Sequence, residues 1–460
     1  MKTIEISRKA FLWFLALGFV LRILYSSISF HLGDLGSWES LGEFIFRYHI
    51  SPFIWWAQGP FDAIPVMAFQ GLNYLGFTSP YLLSIFEHIP FIFGDALLTL
   101  ISFFVLRDYF PKNKFIYTTI IWFNCLLIFI SSVWGQTDVW MIACTILSLY
   151  FFSKEDIWLG AIALGCAASF KYVPLAILPA LLVFYWKPRD LIKIFIGTFS
   201  IFIGSFIFVY LLNLLIYHDP YFFSYFLDRS GTIFGRFTPN LDGGTFISTG
   251  SALWGELYML HIYTTQALTP WKSLWLPIYT TFYLVFSIWV LTLGYRNRTK
   301  ISQPREKFIF LNIFYAAILI PFMLLYPQSQ LQRFINFMIP LQFVFFYFEW
   351  DLVLLGIVNI LTVIANDIYA AGSLFHLSGK NILITTTLLA ILFSSSLVFL
   401  INSRRQFYIA VLTLLVFISL YYFNNSGLHP LLTLVNYLAL LTLSFVSIVA
   451  FFKSQRYVVS

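Results

Sequence analysis

The sequence predicts an all-α, polytopic membrane protein, and three observations carry that prediction. Of its 460 residues, 60% are hydrophobic and only 10% are charged, against roughly 25% charged in a soluble domain. Apolar runs recur along the whole chain, and most approach the about 20 helical residues that cross a bilayer. The runs are continuous, whereas an outer-membrane barrel is built from segments of about 10 alternating residues. A soluble globular enzyme is excluded on these grounds. Disorder is excluded too, because disordered chains are polar and poor in aromatics, and Phe, Tyr and Trp make up 21% here. The three cysteines, Cys125, Cys144 and Cys166, sit in apolar runs and are too scattered for a disulfide framework or a zinc site.

In chain order the spans are 9–29, 84–106, 115–132, 134–153, 157–170, 172–186, 191–216, 274–295, 308–326, 333–348, 350–367, 382–401, 406–423 and 430–451. Span 9–29 follows the basic stretch MKTIEISRK with no small-residue cleavage site after it. It therefore reads as an uncleaved first helix, not a signal peptide. The short pair 157–186 and the pair around Glu349 are the least regular. With an even number of spans, both termini lie on one side.

Charge tests this threading. With the N-terminus cytoplasmic, all but eight of the 27 basic residues fall in or beside inner loops. The eight are Arg22, Arg47, Lys171, Arg229, Arg236, Lys272, Arg333 and Lys380. This is the positive-inside pattern, and it accounts for the net charge of +7 without a nucleic-acid partner. The inner loops are short. Two long outer segments, 30–83 and 218–273, hold many of the acids, histidines, tryptophans and glycines. Long loops inside a compact domain are usually functional. Residues 61–77, apolar but interrupted by Asp62, Pro65 and Gly71, read as an interfacial helix on the outer leaflet. The chain 1–460 is expected to be one integral membrane domain: a module over 9–217, the loop 218–273, and C-terminal helices over 274–460.

Ionisable groups inside spans cost about 2.5–3.5 kcal/mol each on insertion scales, so each needs a reason. Arg22 and Asp95 both fall roughly 10–15 Å below the outer ends of their spans. They read either as a buried pair joining the first two spans or as the lining of a cavity. Asp34, in SFHLGDLGSWESLGEF, follows the first span closely, with Glu39 and Glu43 behind it. It is either a loop acid facing water or a general base that takes the proton of a sugar hydroxyl. The notch Trp134-Gly135-Gln136-Thr137-Asp138 reads as a tight turn in which Gly supplies the backbone angle, Asp caps the next helix and Trp anchors the interface. Gln136 is less well explained that way, and Gln and Asp beside an aromatic suit a sugar or polar headgroup. Lys171, in SFKYVP, is a snorkelling lysine or a phosphate contact. Arg333, in PQSQLQRF, is an interfacial arginine or a second phosphate contact. Asp228, Arg229, Asp242 and His261 lie in the long outer loop without separable roles.

These features occur in a familiar order. An acidic first outer loop comes first, then FIFGDALLTL around Asp95, then WFNCLLIFISSVWGQTDVW, then GAIALGCAASFKYVPLAILPALLVFYW. The order resembles the GT-C superfamily of polyprenyl-phosphate-sugar-dependent glycosyltransferases, in particular prokaryotic mannosyltransferase-like members with a WGQ-x-D turn and the catalytic subunit of GPI mannosyltransferase I. The resemblance covers residues 10–190, and 327–341 looks like a degraded form of the family's later His-x-Arg-Tyr turn. It departs from the family pattern where Leu35 and Gly36 follow Asp34, and where Gln and Phe334 replace His and Tyr.

The resemblance implies a GT-C-like bundle of about 11–14 transmembrane helices, with interfacial helices in the long outer loops. It implies that Asp34 is the base of an inverting transfer, that Trp134, Gln136, Asp138 and Glu39 line the sugar and acceptor site, and that Lys171 and Arg333 hold the donor phosphate. Arg22 and Asp95 stay structural or cavity-lining. The donor would be a dolichyl- or undecaprenyl-phosphate sugar, mannose by family frequency, drawn from the outer leaflet of a prokaryotic plasma membrane in preference to an endoplasmic reticulum. The acceptor would be a glycan or glycolipid, with membrane lipids around the chain and room for a small membrane subunit. A lipid-phosphate leaving group needs no general acid, and no His/Asp/Glu set has metal-ligand spacing, so no cofactor or metal is expected. The rivals are a secondary transporter, which would show repeat symmetry and midplane charges, and a flippase or ligase for polyprenyl-linked glycans.

Overall fold

The computed structural model describes residues 7–28, 59–61, 79–218, 272–299, 301, 303–325, 335–349 and 450. The interfacial helix expected over 61–77 (Phe61 apart), the loop 218–273 between His218 and Lys272, and the spans 350–367, 382–401, 406–423 and 430–451 (position 450 apart) lie outside the described residues. Among the described residues the regular structure is helical, with no strand.

The described residues form eleven α-helices, in order: α1 Arg8–Ile28, α2 Pro80–Tyr109, α3 Lys114–Trp122, α4 Cys125–Phe129, α5 Asp138–Ser153, α6 Ile157–Phe170, α7 Leu178–Phe184, α8 Pro188–Tyr217, α9 Lys272–Asn297, α10 Pro304–Leu325 and α11 Ile335–Phe348. α4 runs into a π-helical turn, Ile130–Trp134, and a 3-10 turn, Val173–Ile177, precedes α7. Proline opens α2 and α8, where its missing N–H would have found no partner anyway.

One expected span is broken. The sequence reads 115–132 as continuous, but α3 stops at Trp122 and a new helix starts at Cys125. The cause is Asn124. Its side chain accepts from the backbone N–H groups of Leu126 and Leu127, at 2.9 and 3.2 Å, and so caps a fresh helix instead of continuing the old one. The two pieces meet at 41°.

Among the described residues three helices are long and apolar enough to cross a membrane: Arg8–Ser27, Ser84–Tyr109 and Pro188–Leu212. The bent pair makes a fourth if it crosses as one. Their outward faces fit a lipid solvent. α1 exposes Leu12, Trp13, Leu17, Phe19 and Leu24, and α8 exposes Phe195, Ile203, Phe208 and Leu215. A water-facing protein does not leave such large contiguous apolar faces uncovered.

α5 is the centre of the described bundle. It packs against α2, α6, α10 and α11, and α6 in turn packs against α8. Val139, Ile142, Ile146 and Leu149 of α5 are fully buried with Phe308 and Phe314 of α10 and Phe337 and Phe343 of α11. With 16 residues, α5 is about 24 Å long, and its two ends differ in chemistry. At its C-terminal end Lys154 binds Asp108 of α2, Tyr150 also donates to Asp108 at 2.6 Å, and Lys307 of α10 binds Glu155. Burial works against the Lys154 charge, but its bonds to Asp108 and Tyr150 win and raise its pKa. Arg305 lies over the rings of Phe110 and Tyr347 nearby. These cations are among those that the charge pattern assigns to inner loops. The notch that ends in Asp138 is at the other end.

Candidate functional site

The site is built around the start of α5. The chain reaches it through the π turn, where the N–H groups of Gly135 and Gln136 both point to the carbonyl of Ile130, at 2.9 and 3.1 Å. Such wide turns are rare and often sit at functional positions. Gly135 closes the turn with φ 72°, a left-handed angle that costs glycine little. The expected role of this glycine is therefore the observed one.

The Asp138 side chain does not act as the cap that one reading of the notch gives it. A capping aspartate precedes its helix and binds the first free N–H groups. Asp138 is already inside α5, the capping position belongs to Thr137, and the Thr137 side chain makes no capping bond. The Asp138 carboxylate turns away to other helices. Its Oδ2 accepts from Lys171 Nζ at 2.5 Å, and its Oδ1 accepts from Asn336 Nδ2 at 3.4 Å. Three chain regions thus meet: the notch, the end of α6 and the start of α11.

Burial makes this meeting consequential. Asp138 and Asn336 are fully buried, while the Lys171 side chain keeps 12% of its surface. A carboxylate without solvent needs a cation, and removing that cation costs about 3–5 kcal/mol. An ammonium carries three donors. Asp138 takes one of them, so Lys171 holds capacity for a further acceptor at the rim. Gln136 is also buried here, at 5% exposure.

A fourth region joins through its backbone. Gly59 N–H donates to the Phe170 carbonyl and Phe61 N–H to the Ser169 carbonyl, both at 2.9 Å. These are carbonyls at the C-terminal end of α6, which have no partner inside their own helix. Contact is close enough to require glycine: a Cβ on Gly59 would stand 2.2 Å from the Ser169 carbonyl oxygen. The Phe61 and Phe170 rings meet edge to face at 5.8 Å, and Phe170 stacks on Trp140 of α5. Residues 59–61 are therefore fastened beside Lys171.

Deeper in the bundle, Arg22 of α1 and Asp95 of α2 are brought together. Arg22 Nε donates to Asp95 Oδ2 at 2.8 Å, and both side chains are fully buried. The other guanidinium nitrogens donate to the carbonyls of Gly18 and Trp122, at 3.1 and 2.7 Å.

Of the residues the sequence singles out, Lys171 and Asp138 are in contact and Arg22 and Asp95 are in contact. Trp134 ends the π turn. Asp34, Glu39 and Arg333 lie outside the described residues. Sequence reasoning missed Asn336, because a single amide near the start of an apolar helix carries no signal of its own. It also missed Gly59, although the Gly59-Pro60 pair is a turn signal. Among the described residues no three His, Cys, Asp or Glu side chains lie close enough together to hold a metal ion. No protein-family model matches the sequence, and no curated protein matches it either.

Proposed function

We propose that the protein is a polytopic membrane glycosyltransferase of the GT-C kind. It transfers a hexose, mannose in the first instance, from a polyprenyl phosphate to a lipid-linked or glycan acceptor on the non-cytoplasmic face. An acceptor hydroxyl attacks the anomeric carbon, its proton passes to Asp34, and the bond from that carbon to the phosphate oxygen breaks. The configuration inverts, and polyprenyl phosphate leaves. Lys171 and Arg333 balance the charge that grows on the leaving phosphate, usually the larger catalytic contribution. Trp134, Gln136, Asp138 and Glu39 surround the sugar and acceptor. Neither a metal ion nor a cofactor takes part. In this reading both termini lie in the cytoplasm and the site opens on the outer face.

The observation that carries this reading is the convergence on Lys171. Two segments that the resemblance draws on, the WGQTD notch and SFKYVP, and a third piece, residues 59–61 between the first two spans, are far apart in sequence. They meet at one end of α5 through Gly59–Phe170, Lys171–Asp138 and Phe61–Phe170 contacts. A partly exposed ammonium in a notch with buried Gln and Asp is suited to a sugar phosphate.

Donor titration tests the role of Lys171. Lys171→Met combined with Asp138→Asn, so that no carboxylate is stranded, is expected to raise the KM for polyprenyl-phosphate mannose by roughly 10–100-fold, the value of a charge-assisted hydrogen bond. Lys171→Arg keeps the charge and should retain most of the affinity. An unchanged KM in the double variant removes Lys171 from the donor site. Counterflow of a free sugar or lipid-linked sugar without any transfer would favour the transporter and flippase readings instead.

A further inference from the structure

The buried pair Arg22–Asp95 does more than join α1 to α2, because Asp95 Oδ2 has a second partner. Ser131, within the π turn, donates its hydroxyl to that same oxygen at 2.5 Å. The hydroxyl oxygen of Ser132 lies 3.1 Å from that of Ser131. Arg22 binds the other side of the break between α3 and α4: one nitrogen donates to the Trp122 carbonyl at 2.7 Å, and its guanidinium carbon sits 3.5 Å from the centre of the Trp122 ring. Trp122 in turn donates its indole N–H to the Leu15 carbonyl of α1, at 3.1 Å. One ion pair therefore holds both the last residue before the break and the turn after it. α1 and α2 both pack against that turn. Arg22, Asp95, Ser131, Ser132 and Trp122 are all buried, so the bonds among them act in a medium that strengthens them.

A π turn leaves its carbonyls spaced for i→i+5 bonds and is less regular than the α-helix around it. Something outside the helix must select it. Within the described residues, Ser131 is where a side chain of the turn is tied to another helix by a charged acceptor. Four residues further on the chain turns left-handed at Gly135, and Gln136, Thr137 and Asp138 follow. We infer that Arg22 and Asp95 are positioning residues: through Ser131 they fix the π turn and so set the place of Gln136 and Asp138 at the rim. The catalytic consequence rests on the glycosyl-transfer reading, whereas the geometric consequence does not.

Thiol labelling separates the two. In a background where Cys125, Cys144 and Cys166 are alanine, Thr137→Cys places a thiol at a fully buried position beside Asp138. Adding Ser131→Ala is expected to speed its reaction with a maleimide about tenfold, because local opening follows the loss of one charge-assisted bond. Ser131→Thr keeps the hydroxyl and is expected to restore slow labelling. Ser148→Cys, fully buried between α5 and α6, should react at the same rate with and without Ser131→Ala. Equal labelling at position 137 in the presence and absence of Ser131→Ala overturns the inference, and so does a matching rise at position 148, which marks general loosening. In the transfer assay, Ser131→Ala should lower kcat/KM for the donor, because Gln136 and Asp138 line the proposed sugar site and Asp138 holds Lys171, and Ser131→Thr should restore it. Protein that labels as expected but shows no transfer in its wild-type form keeps the positioning role and loses the enzymatic reading.

Discussion

Asp34→Asn is expected to lower sugar transfer by about 10²–10⁴-fold, the contribution of a well-placed general base, with protein level and donor KM unchanged. The substitution keeps the size of the side chain and removes only its ability to take a proton. Donor affinity should survive because the proposed phosphate contacts, Lys171 and Arg333, are elsewhere in the chain. Initial rates with a radiolabelled polyprenyl-phosphate mannose and an acceptor extract measure this directly. A variant that transfers at the wild-type rate makes Asp34 an ordinary loop acid. Equal loss in Glu39→Gln, with Asp34→Asn active, would move the base to Glu39.

Arg22→Ala is expected to be the most destabilising single change among the described residues. It leaves the fully buried Asp95 carboxylate without its cation, at a cost of about 3–5 kcal/mol. It also strands the Trp122 carbonyl, which adds about 1–3 kcal/mol. Asp95→Ala should be nearly as harmful, because it strands the guanidinium. The pair Arg22→Met with Asp95→Leu removes both charges and replaces them with apolar volume. That double variant should be markedly more stable than either single one, since buried ion pairs often exchange for hydrophobic residues at little cost. Thermal unfolding of the detergent-solubilised protein reads all three. If the double variant is as unstable as the singles, the ion pair itself holds the helices together. Its expected recovery of stability should not extend to the notch, which loses Asp95 as the acceptor for Ser131.

Much of the helical layout was legible because apolar runs and their proline or charged boundaries are local signals. Spans 9–29, 84–106 and 191–216 correspond to α1, α2 and α8, and the short pair 157–170 and 172–186 corresponds to α6 and to the 3-10 turn with α7. The break at Asn124 was not legible. One amide in an apolar run is compatible with a buried helix, and only its bonds to Leu126 and Leu127 reveal a cap. Arg22 and Asp95 announced themselves as charges that a membrane would not tolerate alone, and the structure brings them together. The sequence reads Asp138 either as the cap of its own helix or as part of a sugar site; its carboxylate binds Lys171 and Asn336, and local pattern cannot pair residues 33 or 198 positions apart. Gly59 is a similar case: its glycine is needed by the α6 carbonyls it approaches, not by its own turn. Long-range pairing of this kind is what sequence periodicity cannot carry.

The most direct measurement puts the purified protein into liposomes with polyprenyl-phosphate mannose labelled in the sugar, together with a glycolipid acceptor. The account predicts protein-dependent appearance of label on the acceptor, release of polyprenyl phosphate in equal amount, and inversion at the anomeric carbon. Label that stays on the polyprenyl phosphate while the intact lipid-linked sugar moves between leaflets would contradict it.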